Sequence, residues 1–198
     1  MAPTPASICM LLLLTVPCFS QDIEMPTCGG PGPLGSPEVT EGSDRLTTNV
    51  ASVDAPKELV WKVFVEMSRW EKWTEVFNPH ISGEPEMDKL FLVTTRLRTA
   101  HPIFRLHNVL VKVTVLEEMS MFCWNTMGLP IWSRHCFSLC EMGGTTVWYM
   151  YQDNRGQLRG VAANILRDAM HDALECFNQN LTAEVKLQDA NLQEPLLP

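Results

Sequence analysis

The stretch Ser133–Gln152, SRHCFSLCEMGGTTVWYMYQ, reads as two strands folded back on each other. In its first half His135, Phe137 and Leu139 share one face at a period of two, and Arg134, Cys136, Ser138 and Cys140 share the other. Gly143-Gly144 marks a tight turn, because a two-residue hairpin loop needs backbone conformations that glycine reaches without steric penalty. Thr145–Gln152 is the returning strand, with Val147, Tyr149 and Tyr151 in phase.

Upstream, further strands lead into this hairpin. Met121–Asn125 carries Phe122 and Trp124 on a common face. Leu110–Leu116 belongs to a run with Val109, Val111, Val113 and Val115 on one face and Lys112 and Thr114 on the other, and Leu90–Arg98 is a further strand. Before these, Thr47–Val53 is β-branched and alternating, which predicts the first strand. Asp54 then stands as a helix N-cap, with Pro56 in the first turn. The helix runs to about Met67, with Leu59, Val60, Val63, Phe64 and Met67 on one side. Arg69–Thr74 is a second short helix with Trp70 and Trp73 one turn apart, and Asn78-Pro79 ends it.

Downstream, Leu158–Leu187 reads as one long amphipathic helix. Val161, Ala162, Ile165, Ala169, Ala173, Phe177 and Leu181 recur at helical spacing, opposite Arg159, Arg167, Asp168, Asp172 and Glu175. The order predicts an α+β fold. A curved antiparallel sheet wraps around the long C-terminal helix, and two short helices follow the first strand.

The ends are of another character. Residues 1–20 hold an apolar run from Ile8 to Val16, then Cys18 and Ser20 at signal-peptidase spacing before Gln21. That run is too short for a membrane span, which takes about 20 apolar residues. It predicts a signal peptide and a secreted or endomembrane-lumenal protein, with a cytoplasmic protein as the alternative. Residues 21–45, rich in glycine and proline, read as a flexible linker, 46–187 as the folded domain and 188–198 as a tail. No internal repeat is visible. The net charge of -8 argues against a nucleic-acid partner, which needs a basic face.

Seven cysteines are present, and five would remain after leader cleavage: Cys28, Cys123, Cys136, Cys140 and Cys176. An odd number leaves at least one thiol unpaired. Cys136 and Cys140 lie about 13 Å apart along one strand, too far for a mutual disulfide. The set does not read as a disulfide framework, and no Cys/His spacing points to zinc.

Four segments resemble the SRPBCC superfamily (START-like, helix-grip), which includes polyketide cyclase/dehydrase-like and lipid-transfer proteins. They are VDAPKELVWKVFVEMSRWEKW (Val53–Trp73), VKVTVLEEMSMFCWNT with Phe122 and Trp124, RHCFSLCEMGGTTVWY, and the final helix with Phe177 and Asn180. The resemblance spans about Thr47–Val185. The sequence departs from the pattern where members often have a glycine before the second strand, since Lys89 stands there. It departs again where they often carry an inward acid after the Gly-Gly-Thr turn, since Tyr151 stands near that place. These departures favour a neutral, aromatic-lined pocket.

The resemblance implies an internal cavity for a hydrophobic small molecule or lipid. Phe122, Trp124, His135, Phe137, Tyr149 and Tyr151 are the candidate walls, Ile165 and Ala169 the floor, and Trp73 the mouth. For any single aromatic plain core is the commoner reading, whereas for the set, given the fold, a cavity is expected. An alternative is a cyclase/dehydratase-like enzyme in which His135 and Tyr149 act as acid and base. Another is an interaction module with a filled core. No cofactor and no metal are expected: Asp168, His171, Asp172 and Glu175 read as a solvated acidic face. Asn180-Leu181-Thr182 is a glycosylation sequon, which matters only in a secreted chain.

Overall fold

The computed structural model describes residues 44–97, 106–128, 131–156 and 159–193, with helix side chains described from Ala169 onward. The described strands are β1 (Asp44–Thr47), β2 (Ala51–Val53), β3 (Phe77–His80), β4 (Leu90–Arg96), β5 (Leu106–Glu117), β6 (Met121–Thr126), β7 (Ile131–Met142) and β8 (Thr145–Gly156). They form one sheet in the order β1-β8-β7-β6-β5-β4-β3, with β2 also on β8, and every pairing is antiparallel. Helix α1 (Lys57–Val65) and a 3-10 helix (Met67–Lys72) connect β2 to β3, and α2 (Arg159–Gln193) closes the chain against the sheet. This is the expected helix-grip α+β architecture.

Several local features differ from expectation. The first strand is two, because Thr48 interrupts the ladder with its side chain. Its backbone N–H donates to the Met150 carbonyl at 2.9 Å, while its hydroxyl oxygen accepts from the Met150 N–H at 2.9 Å. Pro56, not Asp54, occupies the cap of α1. The Asp54 carboxylate instead accepts from the Thr145 hydroxyl at 2.8 Å, tying the helix entry to the turn before β8. Asn78-Pro79 does not end a helix but lies within β3. That strand is at the sheet edge, where a residue without an N–H is tolerated. The final helix continues past Leu187 to Gln193.

A bulge in β5 changes its facing. Val113 pairs with Trp124 but Val115 pairs with Cys123, so Thr114 is the extra residue. Val111 and Val113 face the helices, whereas Val115 joins a cluster on the opposite face.

The main core lies between the sheet and the helices. Phe64 of α1 is its hub. It stacks on Phe137 with ring centroids 3.9 Å apart and planes 10° apart, and meets Phe122 and Phe177 edge-on. Trp70 donates its indole N–H to the Phe64 carbonyl at 2.8 Å and packs on Phe177 at 4.8 Å. Fully burying one such ring stabilises the fold by about 1.5–3 kcal/mol. A second cluster of Met121, Cys123, Cys136, Cys140, Tyr149 and Tyr151 is buried on the outer face. Cys123 and Cys136 are cross-strand partners joined by a disulfide, and Cys140 is disulfide-bonded as well. The cysteines therefore do form cross-links, contrary to the sequence reading. Cys176 is the free thiol among the described residues.

Candidate binding site

The inner face of the sheet is laid down by alternation. Phe122 and Trp124 of β6, Phe137 and Leu139 of β7, and Trp148 and Met150 of β8 all belong to the core beneath the helices. Phe122 and Phe137 are packed from above by Phe64, so at this level the grip is filled by side chains. Trp124 lies one step further along, between Trp70 and His135. Ala169 of α2 is buried in the same core. The Ile165 side chain lies outside the described residues.

Tyr149 and Tyr151 are not on this face. They stack on each other at 5.8 Å in the outer cluster, with the Arg45 guanidinium 4.3 Å above the Tyr151 ring and held by Asp153 at 2.6 and 2.8 Å. Tyr149 pairs with Ser138 in the ladder and Tyr151 with Cys136. His135 points inward from β7, so the sheet itself stands between His135 and Tyr149. The acid–base pair of the alternative enzyme reading is not formed, and neither tyrosine belongs to the inner core cluster. The physical reason is that both faces of β8 are buried, so hydrophobic alternation carries no sign.

What replaces the tyrosines is a row of smaller polar groups. His135 is directly opposite Gln152, and Ser133 directly opposite Asn154. The Gln152 amide N–H group donates to the Ser133 hydroxyl at 2.8 Å and to the Asn154 side-chain oxygen at 2.6 Å. The Ser133 hydroxyl in turn donates to Asn154, and the Ser133 backbone N–H donates to the Thr126 hydroxyl at 2.8 Å. This row continues the inner phase of the aromatic layer, one step beyond Met150 and Phe137.

Two atoms of the row are left over. His135 Nδ1 and Gln152 Oε1 are buried and have no hydrogen-bond partner among the described residues. The His135 ring lies flat against Trp124, with centroids 5.5 Å apart and planes 11° apart, and meets Phe77 edge-on at 6.3 Å. Burial among these rings pushes its pKa down to about 4, so the imidazole is neutral at physiological pH. Gln152 was not singled out from the sequence. The signal was present: a Gly-Gly turn that pairs Met142 with Thr145 also pairs His135 with Gln152, and cross-strand partners share a face.

A cleft of about 350 Å³ opens between α2 and the segment around β3 and the end of β4. Trp73, Val76, Leu97 and Ala173 give it apolar walls, while Glu75, Arg96, Asp172 and Asn180 supply polar groups. Trp73, expected at the mouth of the internal cavity, borders this cleft and packs on Phe177 at 5.2 Å. The thiol of Cys176 also borders the cleft. Asn180, the sequon residue, donates to the Thr74 hydroxyl at 3.5 Å. On α2, His171 lies 3.8 Å from Glu175 and 4.0 Å from Asp172. Among the described residues no group of three or more His, Cys, Asp or Glu is placed to hold a metal ion.

No protein-family model matches the chain, and no curated protein does. Solved structures do. The Zhui aromatase/cyclase from a Streptomyces species superposes with a TM-score of 0.61 at 10% identity, over 77% of this chain and 99% of that one. A START superfamily protein from Mycobacterium smegmatis superposes with a TM-score of 0.59 at 13% identity, over 74% and 99%. A norcoclaurine synthase point mutant from Thalictrum, in complex with a transition-state analogue, gives 0.56 at 11% identity, over 74% and 98%. At these identities the likeness is one of fold, and the fold is the START-like, SRPBCC-type helix grip.

Proposed function

We propose that the chain binds a hydrophobic small molecule or lipid within the grip, without catalysing a reaction on it. One observation carries this reading. The inner face of the sheet ends in a buried row with two unsatisfied polar atoms, His135 Nδ1 and Gln152 Oε1. In a core filled only by side chains such atoms are rare, because each costs about 1–3 kcal/mol. A bound molecule that supplies the missing hydrogen bonds offsets that cost. The fold supports the reading, since its solved neighbours include a START superfamily protein and an aromatase/cyclase. The enzyme reading loses its proposed pair, because Tyr149 and His135 occupy opposite faces.

The compartment belongs to the same proposal. A disulfide between Cys123 and Cys136 and a bonded Cys140 fit an oxidising environment, as the apolar run at Ile8–Val16 also does. The test is native mass spectrometry of the full chain produced through a secretory route. A retained apolar molecule, or saturable binding of a polarity-sensitive fluorophore, supports the reading. A ligand-free chain that binds no member of a lipid and aromatic panel returns the grip to the role of a filled core.

A further inference from the structure

We infer that the His135–Gln152 pair is the polar end of the binding site and selects an uncharged amphiphile bearing a hydroxyl group. This rests on the binding role proposed above and adds the chemistry of the ligand's head.

The argument is one of complementarity. The two side chains are cross-strand partners, and each retains one unused hydrogen-bonding atom in a buried place. Gln152 has its amide N–H group committed to Ser133 and Asn154, which leaves its carbonyl oxygen as an acceptor. The incoming group must therefore carry a proton to give. His135 Nδ1 offers either a proton or a lone pair, depending on the tautomer. A hydroxyl has one proton and two lone pairs, so it can donate to Gln152 Oε1 and accept from His135 Nδ1–H in one pose.

Other heads fit less well. A carboxylate has no proton for Gln152 Oε1. It would also need a cation, and none is found there: the described side chains of the inner face around the pair are Thr126, Ser133, Phe137, Trp124, Phe77 and Met150. The cations of β7 and β8 alternate away, since Arg134 is opposite Asp153 and Arg155 opposite Trp132 on the outward phase, and Arg45 of β1 is held on that face by the Asp153 carboxylate. An ammonium could donate, but no anion among those side chains would offset its desolvation. A plain alkane leaves both orphan atoms as they are.

The test is competition for a bound uncharged fluorophore (N-phenyl-1-naphthylamine) on the full, disulfide-intact chain at pH 7.5. The competitors are decanol, decanoate and decylamine. Decanol is expected to displace the probe at about tenfold lower concentration than either charged analogue. In His135→Phe, which keeps the ring against Trp124, and in Gln152→Leu, that advantage is expected to shrink below about twofold. Circular dichroism checks that each variant is folded, and either folded variant suffices. Decanoate competing as well as decanol, or a preference that survives both variants, overturns the inference while leaving hydrophobic binding intact. No displacement by any of the three, with no binding of the probe, overturns the binding role itself and this inference with it.

Discussion

The indole N–H of Trp148 on β8 donates to the side-chain oxygen of Asn178 on α2 at 3.2 Å, and both side chains are buried. Asn178 then donates at 3.0 Å to the Thr48 hydroxyl, the same oxygen that receives the Met150 N–H. One amide thus joins the long helix, the central hairpin and the sheet edge. Asn178→Leu removes it and strands the buried indole N–H. Urea denaturation is expected to show a loss of about 2–4 kcal/mol, more than an exposed Asn→Leu change would cause.

The Phe64–Phe137 stack holds α1 on the sheet. Phe64→Ala is expected to cost about 3–5 kcal/mol, because the ring is completely buried and its neighbours Phe122, Phe137 and Phe177 cannot all collapse into the space. Phe64→Leu should cost clearly less. Thermal unfolding of the two variants side by side checks the order.

Acid should destabilise the fold through His135. Its pKa falls from the usual value near 6.5 to about 4 in the folded protein, with burial as the cause. The unfolded chain therefore takes up a proton that the folded one refuses. Stability is complete above about pH 6.5 and is lost as pH falls toward about 4, by roughly 3 kcal/mol from this group. Urea midpoints for the wild type and His135→Phe, measured at pH 7.5 and 4.5, isolate it. The variant should lose markedly less stability between the two pH values. Equal losses would mean that His135 is not held neutral.

The thiols should react unequally. Denaturing the chain without reductant and adding iodoacetamide should alkylate Cys176 but not Cys123, Cys136 or Cys140. Peptide mass mapping reads this directly. Labelled Cys123 and Cys136 would show that the strands β6 and β7 are not cross-linked.

Much of the architecture was legible because its signals are long or paired. The stripe of α2 repeats over many turns, and the Gly143-Gly144 turn fixes a hairpin. On β6 and β7 the inner aromatic phase stood out because Arg134 and Ser138 mark the opposite one. On β8 that contrast vanished: Trp148 and Met150 are as apolar as Val147 and Tyr149, and all but Val147 are fully buried. The larger aromatic run was read as inward, and the polar partner of His135 was lost with it. The break at Thr48 was illegible because it depends on a hydrogen bond to the distant strand β8, and the bulge at Thr114 because it depends on the register taken up with β6.

The proline in β3 has a consequence for how copies of this chain meet. An eight-stranded open sheet leaves a row of backbone donors and acceptors at each border, a template on which another chain can add a strand. At the β3 border the strand is only four residues, Phe77–His80, and Pro79 among them has no proton to offer. An incoming strand would find its ladder interrupted almost at once. That border is therefore a poor template for strand addition by a second copy.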